Sequence, residues 1–182
     1  MHNIESYLNT NPILVKAVVG FPVQDGKVIL GFRKKISMKW GKNIYSGIGG
    51  KVGDKEEWKN ESNEEALNRE FVEECGIEIV NSKFCGVVNF LFPDSPEYNM
   101  ETYIYLIDKW NGEAVETEVI RPELFPVDNL PLNEMWEDNK HWVPYVLNSA
   151  KNEKSNTKVY GNFLYESVGE QKFVREVSMR IV

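Results

Sequence analysis

Arg69-Glu70-Phe71-Val72-Glu73-Glu74-Cys75-Gly76-Ile77 is the stretch on which the reading of this chain turns. Glu70, Glu73 and Glu74 stand at i, i+3 and i+4, the spacing at which helical side chains are neighbours. Leu67, Phe71 and Cys75 recur every four residues on the adjacent face, enough to anchor the helix on a sheet. Ser62 and Glu65 form a capping box at its start, and Gly76 stands where a left-handed C-terminal cap belongs, so the pattern predicts a helix over 62–75. Three crowded carboxylates repel one another. A hard divalent cation such as Mg²⁺ offsets that repulsion, because it takes oxygen ligands from a few carboxylates and from substrate phosphates. A solvated acidic helix face is the plainer reading of the glutamates taken alone.

Upstream, Ile44 to Gly50 is apolar and glycine-rich, with glycines at 47, 49 and 50 that permit close backbone approach. Before it, Lys34 to Lys42 is a basic loop, and Leu14–Val23 and Lys27–Phe32 flank Asp25-Gly26, a strong hairpin signal. Downstream, strands are expected around Lys83–Phe92, Glu101–Trp110 and Val119–Val127. A helix is expected within Asn139–Ser149, with Pro144 either kinking it or lying in its first turn. Two last strands, Lys158–Ser167 and Lys172–Val182, are parted by Gly169 and Glu170. The class is α+β, a mixed sheet with helices on its faces. No repeat or long linker divides the chain, so a single domain over 1–182 is expected, with residues 1–12 as a loose N-terminal arm.

Composition narrows the function. The chain has 182 residues, 42% of them apolar and 12% aromatic, which suffices for a core of its own. It has 21 basic and 28 acidic residues and a net charge of −7, which sets it against nucleic-acid backbones and anionic membranes. The N-terminus lacks the features of a signal peptide and no apolar run approaches a membrane span. Cys75 and Cys85 are the only cysteines, with no CxxC between them, so neither a disulfide framework nor a soft-metal site is indicated and a cytoplasmic setting is expected. The oligomeric state is open, with a monomer compatible.

The stretch from Arg69 to Ile77 resembles the signature of the Nudix hydrolases, which runs glycine, then glutamate, then Arg-Glu-apolar-x-Glu-Glu-x-Gly-apolar, and it fits the second half of that signature at every specified position. The first half departs from it. The usual spacing from Gly50 puts the glutamate at Glu56, whereas counting back from Arg69 puts it at Glu61, so the chain carries about five extra residues in between. Helix geometry fixes the distance from Glu61 to the carboxylates while a loop absorbs insertions at small cost, so Glu61 is the matching position. The extra residues, within Gly53–Asn60, are polar apart from Trp58 and are expected to form a surface bulge. Trp58 is either an outer cap on the site or part of a loop with no role.

The resemblance implies an α/β/α sandwich and hydrolysis of a nucleoside diphosphate linked to another group, with Mg²⁺ or Mn²⁺ as cofactor. It implies that Glu70, Glu73 and Glu74 hold metal together with the carbonyl of Gly49. Either Glu73 or Glu70 would take a proton from water, and Arg69 would orient the carboxylates. Gly50, Glu61 and Gly76 complete the motif. Lys51 and Arg33 are expected to meet phosphate, Arg33 as part of a basic patch with Lys34 and Lys35 that is equally readable as a solvated loop.

Within that family the similarity extends to the MutT-type oxidised-purine nucleoside triphosphatases, which act on 8-oxo-dGTP. It is carried by Ile29–Lys35, Gly49-Gly50-Lys51-Val52, Arg121-Pro122, Met135-Trp136-Glu137-Asp138 and Phe173–Val177. It implies that Trp136 stacks on the purine, that Asp138 and the next position, Asn139, read its edge, that Ser46 stands where a pocket asparagine is usual, and that Phe90 is an aromatic wall. Trp142, in step with Tyr145, Val146 and Ser149, is expected in the core. The expected reaction releases a nucleoside monophosphate and pyrophosphate. The departures at Ser46 and Asn139 keep another nucleotide substrate in view: an unmodified triphosphate, a sugar nucleotide or a dinucleotide polyphosphate. A non-catalytic nucleotide sensor is the remaining alternative, and the intact glutamates argue against it.

Overall fold

The computed structural model describes residues 3–34, 44–151, 155–168 and 171–182; Lys35 and most of the basic loop, and the turn residues Gly169 and Glu170, lie outside them. The chain forms strands β1 (Val15–Gln24), β2 (Lys27–Arg33), β3 (Tyr45–Ser46), β4 (Glu78–Leu91), β5 (Met100–Asn111), β6 (Ile120–Pro126), β7 (Val159–Val168) and β8 (Gln171–Ile181). Its helices are α1 (Ile4–Leu8), α2 (Asn63–Cys75) and α3 (Asn139–Ser149). The sheet runs β3-β2-β1-β5-β4-β7-β8, with β6 on β2. It is mixed, because β1 lies parallel to β5 and β4 parallel to β7 while the other pairs are antiparallel.

Asp25 and Gly26 both take positive φ, 52° and 71°, as the two-residue turn of a tightly twisted hairpin requires. Yet β1 meets β2 directly only at Val23–Val28 and Gln24–Lys27. Nearer its start, β1 takes up the Ile48–Val52 segment instead, with Gly20 N–H donating to Ile48 O at 2.8 Å, Val18 N–H to Gly50 O at 2.9 Å and Val52 N–H to Lys16 O at 3.0 Å. The glycine-rich stretch is thereby held against the middle of the sheet.

Each face of the sheet buries one apolar cluster, giving the expected α/β/α sandwich. Under α2, Leu67, Phe71 and Cys75 pack with Val18, Ile48, Ile107 and Ile120. Under α3, Trp142, Val143 and Val146 pack with Phe21, Leu30, Val88 and Phe163. Helix α2 begins on the Ser62–Glu65 capping box and ends on Gly76 at φ 75°. Among the described residues no helix is long and apolar enough to cross a membrane.

Three expectations need adjustment. Residues 3–9, expected within a loose arm, are packed on the sheet. Asn3 caps α1, Ile4 and Tyr7 bury against Leu91 and Leu164, and the Ile4 N–H donates to Glu176 Oε2 at 3.1 Å. Five helical residues are too few to show a period, so only tertiary burial makes this helix visible. Of the two places offered for Pro144, the first turn is excluded, because it is the sixth residue of α3. Strand β4 also starts at Glu78, five residues before the expected segment, because the left-handed Gly76 cap turns the chain straight into the sheet.

Candidate active site

Arg69 is the hub of the acidic helix. Its Nε and Nη2 donate to the two carboxylate oxygens of Glu61 at 3.0 and 2.8 Å. Nη1 donates to Glu70 Oε1 at 2.7 Å and Glu73 Oε2 at 3.4 Å, and Nη2 also reaches the carbonyl of Lys51 at 3.0 Å. Glu61 accepts one further bond, from Gly53 N–H at 2.8 Å. The Arg69 hydrogen bonds hold the Glu61 carboxyl below the usual range against the opposing effect of burial, and Glu61 in turn raises the Arg69 guanidinium. Glu61, not Glu56, is thus the glutamate joined to the helix: Glu56 pairs with Lys59 on the surface. Burial pushes the Glu70 carboxyl up, with Arg69 pulling the other way.

A second arginine works from the sheet. Arg33, the last residue of β2, donates from Nη1 to Glu74 Oε1 at 2.7 Å and from Nη2 to Glu74 Oε2 at 3.3 Å and the carbonyl of Gly49 at 3.1 Å. Its Nε donates to Ser46 Oγ at 3.1 Å. Arg33 therefore faces Glu74, whereas the sequence pointed it at phosphate. Lys34, its neighbour in the basic patch, instead pairs with Glu116 at 2.6 Å.

The three helix carboxylates do not meet at one point. Residues 73 and 74 differ by about 100° around a helix axis, so Glu74 turns inward and is buried while Glu73 is half exposed, and Glu70 lies between them. Among the described residues no group of three acidic, histidine or cysteine side chains is arranged as a metal site. The donor chemistry nevertheless suits a hard divalent cation. Glu74 and the Gly49 carbonyl already seat one cation, the guanidinium of Arg33, and the acceptors nearby, Glu70 and Glu73, are carboxylate oxygens. The glycines make the approach possible. A Cβ on Gly50 would stand 2.4 Å from Glu70 Oε1, and one on Gly49, whose φ is 154°, would stand 2.1 Å from the carbonyl of Val18.

Beyond the glycines a cavity of about 360 Å³ opens between the Gly47–Lys51 segment and the α3 side of the sheet. Arg33, Ser46, Gly49, Gly50 and the exposed Lys51 line its polar end; Phe90, Trp136, Asp138 and Asn139 line the other. Glu137 fixes the Trp136 segment to the terminal hairpin by accepting from Val174 N–H at 2.9 Å. Asp138 is 2% exposed and accepts from Trp142 Nε1 at 2.7 Å, Asn139 Nδ2 at 2.9 Å and Tyr165 OH at 2.5 Å. Burial raises the Asp138 carboxyl despite these bonds, and burial with the Asp138 charge raises the Tyr165 phenol.

Of the candidate site residues, Arg33, Ser46, Gly49, Gly50, Lys51, Phe90, Trp136, Asp138 and Asn139 line the cavity, Arg69, Glu70, Glu73 and Glu74 stand on the second half of α2 with Glu61 bound to Arg69, and Gly76 caps that end of the helix. Two participants were missed. Trp142 is in the core, 3% exposed, yet its indole N–H also serves Asp138. Tyr165 arrives from β7 and no local signal marks it, since its partner lies 27 residues away.

The fold and this arrangement define a class. Residues 14–146 match the family model of the NUDIX domain, and the chain belongs to that family. Among curated relatives, it is 33% identical over 129 residues to the oxidized purine nucleoside triphosphate hydrolase of Danio rerio, spanning 71% of this chain and 77% of the fish protein. The protein of the same name from Mus musculus is 32% identical over the same shares. Among solved structures, the mutator protein MutT of Bacillus halodurans superposes with a TM-score of 0.66 at 20% identity, covering 92% of this chain and 97% of that one, a likeness of fold.

Proposed function

We propose that this protein is a metal-dependent nucleoside triphosphate pyrophosphohydrolase acting on oxidised purine nucleotides such as 8-oxo-dGTP, with the monophosphate and pyrophosphate as products. The observation that carries the reading is the junction of a purine-sized cavity with the carboxylate helix at the Gly49-Gly50-Lys51 turn. The names of the curated relatives support the substrate class.

In this reading Trp136 and Phe90 flank the base, and the buried Asp138, fixed by Trp142, Tyr165 and Asn139, presents a polar edge to it. Lys51 lies exposed at the polar end of the cavity, where the phosphates would leave it. Glu70, Glu73, Glu74 and the Gly49 carbonyl would hold Mg²⁺ or Mn²⁺, which supplies charge neutralisation at the phosphoryl oxygens and a more acidic water. Arg69 keeps Glu70 and Glu73 in place, and one of the two accepts the proton of the attacking water. With a cation on Glu74, Arg33 would be free to meet the triphosphate, since it already lines the cavity. One domain, working in the cytoplasm, accommodates these roles, and the two cysteines are free and buried.

A second substrate reading has one observation in its favour. Ser46 is spent on Arg33 and Asn139 on Asp138, so the recognition of the base differs in detail from the family pattern. Pyrophosphate release measured with Mg²⁺ over a panel of 8-oxo-dGTP, dGTP, dATP, a sugar nucleotide and a dinucleotide polyphosphate decides between them. Preference for 8-oxo-dGTP over dGTP supports the proposal; equal or inverted rates sink it.

A further inference from the structure

We infer that Trp58, in the loop that lengthens this chain's signature, is a positioning residue for the reaction: it covers the face of Arg69 and thereby holds Glu70 and Glu73. The inference rests on the hydrolase reading above and assigns a task to a segment that the motif leaves without one.

The loop is folded back on the helix. A 3-10 turn at Glu56–Trp58 is closed by Trp58 N–H donating to Lys55 O and Glu61 N–H donating to Trp58 O, each at 2.9 Å. Gly53 N–H reaches Glu61 Oε1 at 2.8 Å, so the loop ends on the carboxylate that Arg69 grips. The half-buried indole then lies over the guanidinium, with Arg69 Cζ 4.0 Å from the ring centroid, and Lys55 Nζ is 3.9 Å from the same ring.

The geometry gives the contact its meaning. Arg69 uses Nε, Nη1 and Nη2 within the guanidinium plane, on Glu61, Glu70, Glu73 and the Lys51 carbonyl. What the plane leaves over is its face, which is weakly hydrated and stacks well on an aromatic ring. Trp58 shields that face and resists rotation of the group out of the plane of its acceptors. Glu73 is the partner most exposed to such a rotation, since its bond to Nη1 is the longest of the set at 3.4 Å and its side chain is 50% exposed. Trp58 does not border the cavity, which separates this role from that of a cap over the nucleotide. Loosening Arg69 should therefore slow the chemical step and leave substrate affinity alone.

The test is steady-state hydrolysis of 8-oxo-dGTP with Mg²⁺ by wild type, Trp58→Phe, Trp58→Leu and Trp58→Ala, joined to the Arg69 Nε–Hε resonance in a ¹H–¹⁵N spectrum. Expected are a kcat lowered by about tenfold in Trp58→Leu and Trp58→Ala, the low end of what supporting contacts around a metal site cost, with KM within about twofold. Trp58→Phe, which keeps a π-face, should restore most of kcat. The leucine variant keeps apolar bulk without that face and settles the matter if alanine fails to fold. The Arg69 Hε signal should lose its ring-current shift in Trp58→Leu. Unchanged kcat in Trp58→Leu, or a change confined to KM, overturns the inference. Were wild type to hydrolyse no nucleotide, the functional reading would fall by itself, and an Hε signal that does not move in Trp58→Leu would overturn the stacking separately.

Discussion

Two arginines hold the acidic helix, and they hold it differently. Arg69 belongs to the helix it serves and reaches carboxylates at most eight residues away, with Trp58 over its face. Arg33 comes from the end of β2 and crosses 41 residues of sequence to reach Glu74. The first clamp is built from bonds that folding of one helix and one loop completes. The second exists only when sheet and helix have docked. Arg69 takes one oxygen each of Glu70 and Glu73, whereas Arg33 takes both oxygens of Glu74 and the carbonyl of Gly49. On the function proposed above, one is a fixed brace and the other a removable one.

The sharpest way to break that contrast is Glu74→Gln, which strips the charge from the seat that Arg33 holds and that the proposed metal would share. Hydrolysis should fall by about 100-fold or more, since even supporting residues at metal sites cost up to that, while thermal unfolding shows the protein still folded. Near-normal rates would remove Glu74 from the metal set. Next is Arg69→Ala, which leaves Glu61 and Glu70 without their shared cation. A loss of about 1.5–3 kcal/mol is expected, the range for hydrogen bonds to charged groups, read as a lower midpoint in urea unfolding. A midpoint equal to wild type would mean that the brace carries no stability.

Arg33→Met tests the removable clamp. With the guanidinium gone, Mn²⁺ alone, measured by calorimetry, should bind about tenfold more tightly, a gain of about 1.4 kcal/mol, while KM for the triphosphate rises. Weaker metal binding in this variant would show Arg33 to be a partner of the cation site and not its competitor. The smallest effect concerns acid. Arg69 lowers the folded-state pKa of Glu61, so the pair contributes stability that is fully present above the unfolded value near 4.5 and is lost as the pH falls through the lower folded value. Glu61→Gln should therefore be destabilised at pH 7, and its melting temperature should change less than that of wild type between pH 5 and pH 3. Parallel acid limbs would deny the coupling.

What could be read from the sequence follows the same division between local and distant. The Asp25-Gly26 turn, the Ser62–Glu65 box and the Gly76 cap each depend on residues within four positions of one another, and the structure repeats them. The closeness of Glu70, Glu73 and Glu74 follows from helical spacing, while the bracing of Glu70 and Glu73 by Arg69 comes from the resemblance to the Nudix signature. The engagement of Arg33 with Glu74, and of Tyr165 with Asp138, depends on which strand docks beside which helix, and no spacing rule encodes that. Glu73 and Glu74 illustrate the limit within a single helix, because their adjacency in sequence hides the fact that one is buried and the other exposed. The stacking of Trp58 on Arg69 was equally hidden, since an isolated tryptophan in a polar loop carries no address.

Helix α1 extends the consequence of distant contacts to the last hairpin. Asn99, with no exposed surface, accepts from Phe92 N–H at 2.7 Å and donates to Tyr7 OH at 3.0 Å, while the backbone of Ile4 is tied to Glu176 on β8. Five residues near the beginning thus rivet the β4–β5 connection to the final hairpin. Amide protons of β7 should accordingly exchange with solvent in step with those of β4 and not as an independently fraying edge.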